Sequence, residues 1–152
     1  MDDLDAELDT DWSALQATLA PGQVMVTATA AQPWGQALLT QKHALFADES
    51  AAHNGQDSGP NPHELVLAAL GACTAITVRM YAARKGWAID KLDVRLTFRA
   101  APAGVREQID RTIEIEGSLD AEQRARLFAI AEKCPIHKLL TAGVDIHSEL
   151  AR

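Results

Sequence analysis

Fourteen consecutive residues, Leu65 to Val78, contain almost nothing polar, and they lie inside a segment with helix punctuation at both ends. Asn61 can accept hydrogen bonds from the free first-turn amides. Pro62 suits the first helical position because its missing N–H is not needed there, and Glu64 stands at capping-box spacing. Arg79, Arg84 and Lys85 bring the first charges, and Gly86 supplies a C-terminal stop. The segment therefore predicts one long helix, with Cys73 near its middle. A helix that is apolar on every face has no side to give to water, so it must be covered. The apolar run falls short of the roughly 20 residues that span a bilayer. That length argues against a membrane helix and asks for protein as the cover.

The rest of the chain has to supply that cover. With 152 residues it is expected to form a single domain over 21–152, preceded by an acidic extension over 1–20. Fourteen Lys plus Arg stand against 21 Asp plus Glu, a formal net charge of -7 with no basic run, which excludes a phosphate backbone as a natural partner. The N-terminus, Met1-Asp2-Asp3-Leu4-Asp5-Ala6-Glu7, lacks the positive region and apolar core of a secretory signal. The expected location is cytoplasmic, without membrane association and with both thiols initially reduced.

Strands are expected on either side of the long helix. Gln23 to Ala31 alternates, with Val24, Val26 and Ala28 on one face and Met25 and Thr27 on the other, and Gln36 to Ala47 holds two more short runs. Together they read as a three-stranded meander. Residues 48–61 form a polar loop, long enough for a lid or the rim of a site. Beyond the helix, Lys91 to Arg99 and Ile109 to Glu116 alternate so that opposite charges meet across their outer face. Arg111 breaks that pattern by falling on the side of Ile109, Ile113 and Ile115, which implies either an edge or interface position or a role in a site. A second helix runs from Ser118 or Asp120 to Lys133, Pro135 starts a short third one, and Val144 to Leu150 alternates as a last strand. The fold class is α+β.

Two cysteines carry the chemistry on offer. Cys73 sits among small and apolar neighbours, where packing alone accounts for a free thiol and the helix dipole gives no help. Cys134 differs. At the start of a helix its sulfur meets unpaired amides and the positive end of the dipole, with Lys133, His137 and Lys138 close in sequence. The two lie 61 positions apart, so only the fold could join them. No metal or cofactor is expected. Cys134-Pro-Ile-His137 with Cys73 and His63 offers ligands, but paired ligand motifs are lacking, as are phosphate loops and nucleophile elbows.

The block Gly59-Pro60-Asn61-Pro62-His63-Glu64-Leu65 to Ala72-Cys73, followed by Arg79-Met80-Tyr81-Ala82 and by Cys134-Pro135-Ile136-His137-Lys138, resembles the OsmC/Ohr family. With His43 to Glu49 included, the resemblance covers roughly residues 23–150. It implies an intertwined homodimer whose antiparallel sheets wrap two long central helices, with the paired cysteines at the dimer interface. It further implies a thiol peroxidase of oxidative-stress defence: Cys73 attacks an organic hydroperoxide to become a sulfenic acid, and Cys134 resolves that acid as a disulfide. A dithiol reductant, such as a lipoyl protein, then regenerates the pair. Two departures stand out. Peroxidatic members place an activating Arg in the N-terminal part and a Glu directly after Asn-Pro. Here no Arg precedes Arg79, and His63 follows Pro62 with Glu64 one step later. His63 and Glu64 are accordingly auxiliary candidates only. The alternatives are a non-catalytic dimer that binds a small thiol- or persulfide-bearing ligand, or a structural dimer with inert cysteines.

Overall fold

The computed structural model describes residues 10–29 and 33–151, and the chain divides into two compact units, 1–65 and 66–152. The acidic residues 1–9 and the expected strand end at Ala30 and Ala31 lie outside the described residues.

In the first unit a short helix α1 (Ser13–Gln16) precedes three strands, β1 (Met25–Ala28), β2 (Gln36–Leu39) and β3 (Ala44–Ala47). They form the expected antiparallel meander in the order β1-β2-β3, with Thr27 opposite Ala37 and Ala37 opposite Phe46. The central strand carries the core: Ala37 and Leu39 are fully buried and cluster with Leu19, flanked by Trp12, Met25 and Phe46. The inward face of β1 is therefore that of Met25 and Thr27, while Val26 is 57% exposed. Period-two alternation marks two faces, but the partner beneath decides which one is buried.

The loop after β3 has an internal frame. Asp48 is buried, and its carboxylate accepts from the N–H groups of Glu49, Gln56 and Ser58 and from the Ser58 hydroxyl. Those charge-assisted bonds hold the carboxyl below its usual range even though burial pushes the other way. A 3₁₀ turn, Ala51–His53, ends at Asn54 in the left-handed conformation. Gly55 is required because a Cβ there would fall 1.8 Å from the Glu49 carbonyl oxygen. The loop leads into helix α2 (Pro62–Lys85), whose capping box is complete: Glu64 N–H donates to Asn61 Oδ1 at 3.0 Å and Asn61 N–H donates to Glu64 at 2.9 Å.

The second unit contains the remainder of α2 and then β4 (Lys91–Arg99), β5 (Gln108–Glu116), α3 (Ala121–Ala131) and α4 (Pro135–Ala142). Gly86, at φ +69°, ends α2 as its sequence requires. β4 and β5 pair antiparallel from Lys91 opposite Glu116 to Arg99 opposite Gln108. Their outer face carries opposite charges as expected, with Lys91 bridging Asp93, Glu114 and Glu116 and with Arg99 paired to Asp110. Asp120 caps α3 with Gln123 reciprocating. Val78, Ala82, Leu127 and Ala131 form the core, surrounded by Trp87, Leu92, Ile113 and Leu119 among others. Gly71 lets the helix approach β4 closely, since a Cβ there would fall 2.9 Å from the Leu96 side chain.

Three expectations need correction. The long helix is not covered on every side: Leu70, Thr74, Val78 and Ala82 form one buried stripe at i, i+4 spacing, while Val66, Ile76 and Met80 are exposed. Nor is it too short for a bilayer by length and composition. It has 24 residues, and its best 18-residue window has a mean hydropathy of 1.7. Its buried stripe nevertheless packs on protein. Finally, no strand forms over 144–150. Val144, Ile146 and Leu150 keep their alternation but stand exposed, because the chain provides no strand beside them among the described residues.

Candidate functional site

The stripe that turns Val78 and Ala82 into the core also brings Thr74 inward one turn earlier, and Cys73 comes with it at the stripe's edge. On the facing side, α3 ends and the chain restarts as α4 with Pro135 in its first turn. Pro135 cannot donate to the preceding turn and so forces the break, which leaves Cys134 as the N-cap of α4. Its sulfur takes the place of a capping oxygen, accepting from His137 N–H at 3.4 Å. Cys134 is completely buried, while Cys73 is partly open to solvent. The fold thus brings together the two cysteines that sequence spacing could not connect, near enough for each to shift the other's titration.

The two thiols differ in charge preference. Burial raises the Cys134 thiol, but bonds from His137 N–H, the Cys73 thiol, the Thr74 hydroxyl and Ile136 N–H outweigh it, and the net direction is down. At Cys73 burial and the neighbouring Cys134 push up, and the Ile136 N–H and Thr77 hydroxyl only partly offset them. Of the two, Cys134 is the thiol whose surroundings favour the thiolate. The helix N-terminus accounts for that asymmetry, as the position of Pro135 implies.

Arg111 completes the surroundings. It is neither at an open edge nor on the charged outer face. Its side chain is 9% exposed and reaches inward, donating from Nη1 to Thr74 Oγ1 at 2.8 Å. Nη2 pairs with Glu132 and lies 3.4 Å from His137 Nδ1, and His137 Nε2 lies 3.8 Å from the second Glu132 oxygen. The Thr74 hydroxyl lies 3.9 Å from Cys134 Sγ and 2.7 Å from the Leu70 carbonyl oxygen.

His63 and Glu64 sit in the first turn of α2 and in the first unit, ten and nine residues ahead of Cys73 along the chain. The Glu64 carboxylate is occupied by the cap, and the His63 side chain is exposed. Thr74 and Glu132 are the site residues that sequence reasoning passed over. Each left a signal. Thr74 is a hydroxyl on the i, i+4 stripe of an otherwise apolar helix, and Glu132 places a carboxylate at a helix C-terminus, where the dipole disfavours it and another partner must hold it.

The family model for OsmC-like proteins matches residues 55–149. The fold is similar to that of an OsmC-like protein from Mycoplasma pneumoniae, at 20% identity over 80% of this chain and 89% of that one, with a TM-score of 0.65. It is similar also to an organic hydroperoxide resistance protein from Legionella pneumophila (19% identity, 84% and 95% covered, TM-score 0.60). The organic hydroperoxide resistance protein OhrB of Bacillus subtilis has the same fold (22% identity, 83% and 96% covered, TM-score 0.55). No curated protein sequence matches the chain.

Proposed function

Because the chain belongs to the OsmC-like protein family, we propose that it is a thiol-dependent peroxidase that reduces organic hydroperoxides with Cys73 and Cys134. The observation that carries this reading is the approach of Cys73, on α2, to Cys134, the N-cap of α4. Cys73 is the nucleophile because it is the sulfur a substrate can reach, whereas Cys134 is buried. Transfer of the Cys73 proton to the Cys134 thiolate puts the negative charge on Cys73, which attacks the terminal peroxide oxygen. The O–O bond breaks, the alkoxide takes up a proton and leaves as the alcohol, and Cys73 becomes a sulfenic acid. Cys134, again as thiolate, attacks the Cys73 sulfur. An S–S bond forms, and the displaced hydroxide leaves as water after taking up a proton. A dithiol such as a lipoyl protein then reduces the disulfide by thiol exchange.

The same reading makes the protein a cytoplasmic homodimer, in a compartment whose reducing poise suits a resting dithiol. The exposed apolar residues Val66, Ile76 and Met80 on α2, together with the unpaired alternation over 144–150, favour a second copy as their cover. The test is turnover of cumene hydroperoxide with a dithiol: Cys73→Ser abolishes it, and Cys134→Ser stops the cycle at a sulfenic acid that dimedone traps. Turnover at the parent rate in either variant rejects the two-cysteine cycle.

A further inference from the structure

Arg111 is a nearly buried cation beside the cysteines that the peroxide cycle leaves without a task. A guanidinium in that position is costly unless its donors are satisfied, and each named partner here also faces Cys134 or its helix. From α2 come Cys73 and Thr74, from β5 Arg111, after the end of α3 Glu132, and from α4 itself His137. Lys133 and Lys138, close in sequence, are exposed.

Two geometric consequences follow. Arg111 donates to Thr74 Oγ1 and occupies one of that oxygen's two lone pairs, while the hydroxyl hydrogen is directed to Leu70 O or to the Cys134 sulfur. Arg111 also faces His137 Nδ1, which must be the accepting nitrogen, leaving the proton on Nε2 toward Glu132. The charges are unequally screened: the Glu132 side chain is 47% exposed, and the Arg111 side chain only 9%. Water weakens the field of the carboxylate more than that of the guanidinium, which leaves Arg111 the less screened charge of the two.

We propose that Arg111 is a positioning residue for the cysteine pair, acting through Thr74 and held by Glu132 to keep the pair's negative charge on the Cys134 sulfur. Its effect falls on Cys134, the resolving cysteine, and not on the nucleophile Cys73. The usefulness of that charge rests on the peroxidase reading, but its existence does not. The test is therefore ultraviolet thiolate absorbance of the reduced protein against pH, which needs no substrate.

Arg111→Met keeps the length of the side chain and removes the charge. It is expected to move the first thiol titration up by about one pH unit, a roughly tenfold loss of thiolate below that step. Arg111→Lys restores part of the shift, as a cation without the fork. Thr74→Val, which removes the relay hydroxyl, shifts the titration in the same direction, and the double variant shifts it by less than the sum. A folded Arg111→Met protein that titrates like the parent overturns the proposal. Should that variant not fold, a Thr74→Val protein that titrates like the parent overturns it instead. Loss of thermal stability with an unmoved titration likewise assigns Arg111 a structural role only. A parent protein that titrates low yet fails to turn over peroxide would reject the peroxidase reading and leave this one standing.

Discussion

At the scale of residues, two buried acids use one device, N–H and O–H donors gathered around the atom that carries the charge on ionisation, for different ends. In Asp48 the device holds a loop: three backbone N–H groups and one hydroxyl converge on the carboxylate. Its folded-state pKa is depressed, so its contribution is fully present above the unfolded carboxylate value of about 3.9 and is lost as pH falls through the lower folded value. Asp48→Asn offers one acceptor oxygen where two are needed and sets its NH2 against at least one backbone N–H, that of Glu49 in the better orientation. It is expected to lower stability at neutral pH by about 2 kcal/mol and to flatten the acid limb of the urea-midpoint profile. In Cys134 the device serves reactivity. Because its thiol lies below the ordinary range, the rate at which Cys134 resolves the Cys73 sulfenic acid should level off at a pH below the roughly 8.5 of a free cysteine. Stopped-flow rates still climbing above that pH would contradict the assignment.

At the scale of elements, junctions matter most. Gly117 joins β5 to α3 at φ +151°, where a Cβ would fall 2.4 Å from the Ala88 carbonyl oxygen. Backbone stands on both sides of that contact, so nothing yields cheaply. Gly117→Ala is expected to cost about 2–4 kcal/mol by denaturant unfolding, whereas Gly104→Ala, at φ +83° with open space around it, strains the backbone without a clash and should cost less. Such elements were legible where the information is local. The Asn61 to Glu64 cap, the Gly86 stop, the β4–β5 hairpin and the break at Cys134-Pro135 each rest on neighbours within a few residues. What stayed hidden depends on distant partners. The alternation of β1 marks two faces, but only Leu19, Ala37 and Leu39 decide that Met25 turns inward. Arg111 broke its strand's pattern visibly, yet Thr74, Glu132 and His137 come from three other stretches of chain. The segment over 144–150 has the pattern of a strand and lacks the neighbour that makes one.

At the scale of the whole molecule, the exposed apolar residues on α2 remain to be covered. Met80 is 59% exposed and Ile76 57%, two large side chains one turn apart on the same helix. If a second copy covers them, Met80→Asp places a charge in an apolar interface and should shift the protein from dimer to monomer in sedimentation velocity at micromolar concentration. A monomeric parent protein would refute the dimer. The central claim, however, is that the fold pairs Cys73 with Cys134 for chemistry. Its most direct test is mass spectrometry of the reduced protein after one equivalent of cumene hydroperoxide. The account predicts rapid loss of two hydrogens and a single cross-linked peptide pair containing Cys73 and Cys134. Two free thiols persisting while the hydroperoxide remains unconsumed would contradict it.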